Sequence, residues 1–372
     1  MASDERLYMV GLTLVKGVGD ILSRYLLQYF GSAEEIFKVK RASLEKVPRI
    51  GIYTAEKIAD GRSGALTRAE KELAFVQKNK IRLYMISDDD YPKRLKECQD
   101  APIVFYYKGA ADLDAAKIIS IVGTRRMTDY GRRMTETLVK EMAELFPELV
   151  IVSGLAYGVD VCAHRSALRY ELPTVGVLAH GFDRIYPAIH RNTAATMLLH
   201  GGLLTDFMSE TNPDRKNFLQ RNRLIAGLAD ATIVVESAEK GGSLVTADIA
   251  FSYGRDVFAF PGRVVDGLSL GCNRLIQMNK AGLIGSAKDL TASLCWDQDA
   301  KVQAQQKTIP FPDKNDHPII QMLAENGQFQ INQLALEMKT PVHELMAVLF
   351  ELELEGRIKA LPGGVYKLTM DN

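Results

Sequence analysis

The amino-acid sequence predicts an α/β protein whose centre is a doubly wound, Rossmann-like parallel sheet, with a small helical domain before it and a winged helix after it. The sheet is indicated by five short runs that are apolar along both faces, as strands covered by helices on both sides must be. These runs are Ile118–Val122, Leu149–Ser153, Thr174–Leu178, Ala231–Glu236 and Asp256–Ala259. Helical patterns such as Thr128–Leu145 and Asp160–Tyr170 separate them, and this alternation predicts βαβ units over residues 116–297.

The length of 372 residues exceeds the size at which one hydrophobic core stops growing, so we expect two or three domains. The chain carries 46 basic and 46 acidic residues, which argues against a uniformly basic surface but allows a local basic patch. No apolar run is long enough to span a membrane, and residues 1–10 have no basic segment followed by an apolar one. We therefore expect a cytoplasmic protein without a membrane span or secretory signal.

The four cysteines are widely spaced and form no C-x-x-C pair. This usage suits a reducing compartment and predicts neither a disulfide framework nor a zinc finger. The sequence also lacks H-E-x-x-H, G-x-S-x-G and G-x-x-x-x-G-K-[ST], so zincin, serine-hydrolase and P-loop mechanisms have no support. We predict no metal, no cofactor and no catalytic residue.

Residues 1–80 form a predicted helical domain with two glycine-bearing turns, Lys16–Gly19 and Pro48–Gly51, each followed by an amphipathic stretch. Such turns present backbone N–H groups at a helix N-terminus, where a phosphate oxygen can bind. The pattern resembles paired helix-hairpin-helix (SAM-like) motifs, which contact DNA backbones without reading sequence. A helical packing or protein-interaction module is an equally open interpretation. Residues 81–115 are predicted to connect this domain to the sheet.

The C-terminal part begins with a polar, proline-bearing segment, 298–315, which is predicted to be a linker. In residues 316–372, helices are predicted at Ile319–Ala324, Ile331–Glu337 and Val342–Glu355, followed by a glycine-turned hairpin. Three helices and a hairpin are typical of a winged helix. The second helix has few basic residues, so partner binding or self-regulation is at least as well supported as duplex binding.

The loop Gly123–Arg126 follows the first predicted strand and precedes a helix. In a doubly wound sheet this position collects anions, because free N–H groups and the helix dipole point there. Arg125 and Arg126 stand where a dinucleotide fold would carry G-x-G-x-x-G, so their guanidinium groups suit phosphates arriving from outside. The alternative is that they pair with local carboxylates such as Asp129.

A second basic cluster, residues 214–223, has the sequence DRKNFLQRNR. Basic groups that follow a phosphate backbone, together with an aromatic ring on which a base stacks, are typical of proteins that bind single-stranded nucleic acid. Phe218 is the ring in this segment. The alternative is an amphipathic helix in which Phe218 and Leu219 belong to the core.

Two further glycine-rich turns, Ser153–Asp160 and Lys240–Thr246, follow predicted strands and precede helices. Each can supply backbone N–H groups to an oxygen anion. Alternatively their glycines only permit tight turns, with Asp160 or Ser243 capping the helix, and for Asp160 we prefer this interpretation. We expect His164 to be a packed or hydrogen-bonded core residue.

The predicted DNA- and phosphate-binding residues are therefore Gly123, Thr124, Arg125, Arg126, Ser153, Gly154, Gly158, Arg215, Lys216, Phe218, Arg221, Asn222, Arg223, Lys240, Gly241, Gly242 and Ser243. They lie on turns that the predicted sheet brings to one edge.

The sequence resembles the DNA-processing protein A (DprA/Smf) family in six segments that stand in family order across roughly residues 85–290. The matching segments are Ile121–Arg125, Ser153–His164, Gly181–Pro187, Arg221–Leu228, Gly241–Thr246 and Asp256–Gly262. The helical and winged-helix domains are similar to common family additions.

The resemblance implies a protein that binds single-stranded DNA, protects incoming strands during natural transformation and hands them to the RecA recombinase, without turnover. It associates Arg125, Arg215, Phe218 and Arg221–Arg223 with DNA binding, and it leaves open whether Arg215 or Lys216 faces the strand. It also implies a homodimer formed through the Rossmann-like domain, with Asn273–Ile284 as the counterpart of the family's interface.

The alternative function from a different class is a nucleotide or sugar-phosphate hydrolase on a lysine-decarboxylase-like Rossmann fold. Such enzymes carry P-G-G-x-G-T-x-x-E, whereas this chain has Gly241–Val245 without the second Gly-Thr pair and Asp248 in place of the glutamate. A third possibility is an adaptor that works only through its terminal domains.

Overall fold

A computed structural model describes residues 2–296, 318–361 and 364–369 of the chain. The chain divides into two compact units, Met1–Leu294 and Cys295–Asn372. The predicted linker, 298–315, lies outside the described residues. Within the described residues no helix is long and apolar enough to cross a lipid bilayer.

The first unit begins with a helical module that packs around its own core of buried aliphatic side chains. Its helices are α1 (Ala2–Thr13), α2 (Asp20–Phe30), α3 (Ala33–Lys38), α4 (Arg41–Leu44) and α5 (Ile52–Lys78). Gly19 and Gly51 are the residues before α2 and α5, and both have extended backbones. The two glycine-bearing turns therefore end at helix starts, as the sequence predicts.

A nine-stranded sheet forms the centre of this unit among the described residues. Its strands are β1 (Arg82–Met85), β2 (Val104–Gly109), β3 (Ile118–Val122), β4 (Val150–Ser153), β5 (Thr174–Val177), β6 (Gly202–Thr205), β7 (Ala231–Val234), β8 (Asp256–Ala259) and β9 (Gly282–Leu283). They are arranged in the order β1-β2-β6-β5-β4-β3-β7-β8-β9. From β6 to β9 all neighbours are parallel, whereas β1–β2 and β2–β6 are antiparallel.

Helices lie between most consecutive strands of the sheet, and one helix follows β9. They are α6 (Lys93–Lys96), α7 (Asp129–Leu145), α8 (Val159–Arg169), α9 (Arg191–His200), α10 (Arg215–Leu228), α11 (Gly242–Ser252), α12 (Leu270–Gln277) and α13 (Ala287–Ser293), with a 3₁₀ turn at Ala188–His190. Every residue of β3 to β7 is buried, as expected for strands covered on both faces.

The predicted α/β class is confirmed. Strands Ile118–Val122 and Asp256–Ala259 have the predicted bounds, and the other three predicted strands are one or two residues shorter. The sequence did not predict β6, and the segment 81–115, predicted only as a connection, contributes β1 and β2 to the sheet edge. The prediction of strands relies on the βαβ alternation. These two strands are antiparallel and precede that alternation, so the pattern does not include them.

The second unit contains three helices and a three-stranded antiparallel sheet in its described residues. The elements are α14 (Pro318–Asn326), β10 (Gln328–Gln330), α15 (Ile331–Glu337), α16 (Val342–Leu354), β11 (Ile358–Leu361) and β12 (Val365–Leu368). The strand order is β10-β12-β11, and leucine and isoleucine side chains of all three helices share one core. The three helices and the hairpin agree with the predicted winged helix, and the structure adds strand β10.

Candidate nucleic-acid interface

The carboxyl ends of β3 to β7 meet at one edge of the sheet, and the loops that follow them enclose a cleft of about 590 Å³, here called the strand-end cleft. The predicted residues that line it are Gly123, Thr124, Arg125, Arg215, Phe218, Arg221, Asn222, Lys240, Gly241, Gly242 and Ser243. Four described lining residues are cations, and Asp160 is the one carboxylate among them. The electrostatics of the cleft therefore favour an anion.

The loop Gly123–Arg126 is held between two neighbouring strand ends. The Thr124 backbone N–H donates to the carbonyl oxygen of Glu236 at 2.8 Å. A Cβ at Gly123 would collide with the side chain of Val159, so the close approach of loop and helix α8 requires glycine. Arg125 and Arg126 are both exposed, and within the described ranges neither forms an ion pair with Asp129 or another carboxylate. Their predicted availability to an external anion is thus consistent with the geometry.

Phe218 lies at the mouth of the strand-end cleft and is half-buried, outside the core clusters of the sheet. The Arg125 guanidinium carbon is 5.2 Å from the centre of its ring, and that of Arg221 is 5.7 Å away. The ring of Tyr186, which is 43% exposed, meets the same ring edge-on at 5.8 Å. An aromatic platform flanked by cations is the arrangement on which nucleobases stack.

Arg221 forms the floor of the cleft. Its Nη1 donates to the carbonyl oxygens of Gly154, at 2.7 Å, and Val177. Burial lowers the pKa of Arg221 to about 10, and the carboxylate of Asp160 opposes that shift. The guanidinium is still charged at neutral pH, so Arg221 both holds the Gly154 turn to the end of β5 and contributes positive potential to the floor.

Asp160 binds the turn that precedes its own helix. Burial raises the pKa of its carboxyl, against the effects of Arg221 and of the backbone N–H groups of Ala156 and Gly154. The prediction that Asp160 caps α8 is wrong, because the residue before the helix is Gly158 and no side chain caps it. Asp160 lies in the first turn of α8 and its charge instead opposes that of the buried Arg221.

Gly158 has a φ of +78°, which favours glycine. A Cβ there would collide with the carbonyl oxygen of Thr124 and approach the backbone of Arg125. The Val159 N–H donates to the same Thr124 oxygen at 3.2 Å. Gly158 does not line the strand-end cleft. It packs against the backbone of the loop that carries Arg125 and so supports that loop.

Several other predicted residues hold the walls of the cleft. The buried Ser153 hydroxyl donates to the carbonyl oxygen of Ile121 at 2.6 Å and ties β4 to β3. The Asn222 amide donates to the carbonyl oxygen of Gly242 at 3.3 Å, at the start of α11. Ser243, predicted as a possible cap of α11, instead donates its hydroxyl to Ser237 at 3.0 Å. The glycine turn 241–243 is thus fixed from two sides.

The structure separates Arg223 from the other predicted residues. Its Nη2 lies 2.9 Å from the Asp20 carboxylate and 2.6 Å from that of Asp206, and its Nη1 donates to the carbonyl oxygen of Asp100. Burial acts to lower the pKa of Arg223, but Asp206 and Asp20 more than offset it and raise that pKa. Arg223 joins the helical module to the sheet and does not face the strand-end cleft.

Lys216 and Arg126 are exposed and do not line the strand-end cleft, whereas Arg215 does. Of the two candidates in the basic segment, the structure therefore places Arg215 beside the strand-end cleft.

Tyr186 lines the strand-end cleft but was not among the residues predicted from the sequence. Its signal was the segment 181–187, which follows the strand at Thr174–Val177 and so reaches the same sheet edge.

His164 is fully buried, and its Nδ1 lies 2.7 Å from the Thr174 hydroxyl. Burial lowers its pKa to about 3, with smaller contributions from His190 and Arg221. The imidazole is neutral at physiological pH, as expected for the core residue that the sequence predicts.

These features define the class of the protein as a doubly wound α/β protein with a cationic, aromatic-bearing cleft and a winged helix. Family models agree: the model for DNA recombination-mediator protein A matches residues 82–295, and the DprA winged helix domain matches residues 303–364. The chain belongs to the DNA recombination-mediator protein A family, also called DprA/Smf. It is a DNA-processing protein of a family of recombination mediators.

Among curated relatives, Protein Smf of Synechocystis is 34% identical over 339 residues, covering 88% of this chain and 84% of the relative. DNA processing protein DprA of Bacillus subtilis is 36% identical, covering 77% and 95%.

Two solved structures are similar to this one. DprA from Streptococcus pneumoniae has a TM-score of 0.64 at 30% identity, covering 77% of this chain and 97% of that one. DprA from Helicobacter pylori, described with a single-stranded DNA binding mode, has a TM-score of 0.53 at 30% identity, covering 59% and 97%.

Proposed function

We propose that the strand-end cleft binds single-stranded DNA without sequence preference. The observation that carries the proposal is the half-buried Phe218 ring at the mouth of the cleft, with the guanidinium groups of Arg125 and Arg221 both within 6 Å of its centre. Aromatic rings bind any base because every base has a π-face, and the adjacent cations hold the phosphates. The related protein from Helicobacter pylori binds single-stranded DNA.

The proposal assigns a separate contact to each side of the cleft. Arg125 is exposed and free of carboxylate partners in the described part of the chain, so its guanidinium can bind a phosphate bidentately. Two further cations line the cleft: Arg215 at the start of α10 and Lys240 in the turn between β7 and α11. Tyr186 stands beside Phe218 and enlarges the surface for stacking. Together these groups can bind the phosphates and bases of several consecutive nucleotides.

We propose that binding occurs without turnover. Asp248, the carboxylate that a nucleotide hydrolase would need, does not line the cleft. It is 54% exposed on α11 and binds the ammonium group of Lys280 at 2.6 Å. The carboxylate at the glutamate position of the hydrolase motif therefore lies outside the strand-end cleft.

We further propose that the protein acts in the cytoplasm, protects incoming strands during natural transformation and loads RecA onto them, as family membership suggests. We also propose a homodimer through the segment 273–284. It contains the C-terminal part of α12 and the edge strand β9, and it exposes Met278 and Leu283 by 52% and 57%. An edge strand with an exposed apolar side chain favours pairing with a second chain.

The proposed DNA site is tested by substituting Arg125. We expect Arg125→Ala to weaken oligo-dT binding by about 1–3 kcal/mol, because a charge-assisted contact to phosphate is lost. Fluorescence anisotropy over a salt series, with single- and double-stranded oligonucleotides, measures this.

Lys140→Ala is the matched control, since it removes one exposed cation from the far half of α7. The wild type must prefer the single strand and lose affinity steeply with salt. Equal affinities of Arg125→Ala and Lys140→Ala would contradict the assigned role of Arg125.

A further inference from the structure

A second cationic cleft, of about 290 Å³, lies between helices α7 and α8. Arg132 of α7 and Arg165 and Arg169 of α8 line it, and we call it the arginine cleft. Among its described lining residues Glu136 is the only carboxylate. Three guanidinium groups against one carboxylate give this small surface an excess of positive charge in a chain whose net charge is zero.

The arginines of this cleft have no carboxylate partner within the described residues. The one side-chain hydrogen bond they make there runs from Arg165 Nε to the Thr193 hydroxyl, at 3.3 Å. Elsewhere in the same unit arginines are paired, as Arg94 is with Asp230 at 2.6 Å. Unpaired guanidinium groups that converge on one cleft are arranged for an anion from outside.

The arginine cleft and the strand-end cleft both adjoin the Gly123–Arg126 loop. Met127, which lines it, follows directly after the Gly123–Arg126 loop. Gly158, which also lines it, packs against the backbone of Thr124 and Arg125. A chain leaving the phosphate contact at Arg125 therefore reaches the arginine cleft by crossing one loop.

The spacing of the arginines suits a repeated anion. Arg165 and Arg169 stand four residues apart on α8, so their side chains emerge about 5–6 Å apart on one helix face. Neighbouring phosphates of an extended strand can each engage one of them. No aromatic residue lines the cleft within the described chain, so it offers contacts to phosphates and no stacking platform for bases.

The cysteine in the cleft does not provide a competing function. Cys162 is buried, and burial raises the pKa of its thiol above the usual value, with Glu136 adding to the effect. A protonated, buried thiol is a poor nucleophile. The arginines are therefore the functional groups of the cleft.

We propose that the arginine cleft binds the phosphate backbone of the same DNA strand beyond the strand-end cleft, so that the strand runs over the Gly123–Arg126 loop and along the α7–α8 face. This inference rests on the proposed DNA-binding function and adds the route of the strand. Affinity at the arginine cleft comes from charge, and the strand-end cleft supplies the stacking.

The test compares two oligo-dT lengths, one of about 6 nucleotides that fills only the strand-end cleft and one of about 20 that reaches beyond it. We expect Arg165→Gln/Arg169→Gln to weaken binding of the long strand by about ten-fold or more and to leave the short strand unchanged. The salt slope for the long strand should fall by about 1.4, because two phosphate contacts are lost.

The matched control is Arg133→Gln/Lys140→Gln, which removes two exposed cations of α7 that do not line the cleft. A second variant, Arg165→Lys/Arg169→Lys, keeps the charges and should retain most of the salt slope. Thermal unfolding verifies that all variants are folded.

Long-strand affinity equal to that of the control overturns the proposed route. Equal weakening of both lengths also overturns it, because the arginines would then act on the strand-end cleft. If the wild type binds neither length, the DNA-binding function itself fails, and this outcome is distinct from the other two.

Discussion

Arg221 and Arg223 lie two residues apart on α10, yet they face opposite sides of the helix. Arg221 reaches the floor of the strand-end cleft, beside Asp160 and the ring of Phe218. Arg223 reaches the helical module, where Asp20 and Asp206 both bind it. An arginine outnumbered by carboxylates belongs to the fold, whereas a cleft in which cations outnumber carboxylates is available to an external anion.

The largest expected effect is on the free energy of unfolding, when Arg223 is replaced. Replacing Arg223 with methionine leaves the carboxylates of Asp20 and Asp206 largely buried and uncompensated, so we expect a loss of about 3–5 kcal/mol in the free energy of unfolding. Burial already raises the pKa of Asp20 against the effect of Arg223. Without Arg223 that pKa rises further, so the variant should be most destabilised at high pH and less so as the Asp20 carboxyl becomes protonated.

Urea denaturation at several pH values measures this loss. Arg41→Met is the control, since Arg41 also contacts two carboxylates, Glu45 and Glu56, but at an exposed position. Its cost should stay below about 1 kcal/mol. A cost for Arg223→Met as small as that of the control would remove the distinction between the two sides of α10.

A smaller effect is expected on the DNA-binding side. Phe218→Ala should weaken oligo-dT binding by about 1–3 kcal/mol through lost base stacking, with little change in unfolding free energy because the ring is half-buried and outside the core. Anisotropy and urea denaturation on the same samples separate the two quantities.

Phe251→Ala is the matched control, since Phe251 is 52% exposed on α11 and does not line the strand-end cleft. Phe218→Tyr should retain most of the affinity. If Phe218→Ala destabilises the fold without loss of affinity for oligo-dT, Phe218 is a core residue, which is the alternative that the sequence left open.

The sequence predicted the parallel part of the sheet because both faces of those strands are covered, so their apolar runs are continuous. It missed β6, whose residues Gly202–Thr205 include only two large apolar side chains, Leu203 and Leu204. It also missed β1 and β2 as strands, because antiparallel edge strands do not take part in the βαβ alternation.

The candidate site was predictable in its loops and less so in its side chains. Strand ends of a parallel sheet meet at one edge, which brings Gly123–Arg126 and Lys240–Ser243 together. The sequence pattern predicts Arg221–Arg223 as one basic unit, although residues two apart on a helix point about 200° apart. Which of the two arginines faces the cleft depends on how α10 packs, and the sequence pattern alone does not contain that.

The smallest expected effect decides between Arg215 and Lys216 at the first turn of α10. Arg215 lines the strand-end cleft and Lys216 does not, although both are exposed. We expect Arg215→Ala to weaken oligo-dT binding by about 0.5–1 kcal/mol, as for other exposed charge contacts, and to reduce the salt slope by about 0.7, the value for one phosphate on a single strand. Lys216→Ala serves as the control with the same change of net charge. Equal slopes for the two variants would mean that the rim acts through overall charge, and a larger change for Lys216→Ala would place the strand on the other side of α10.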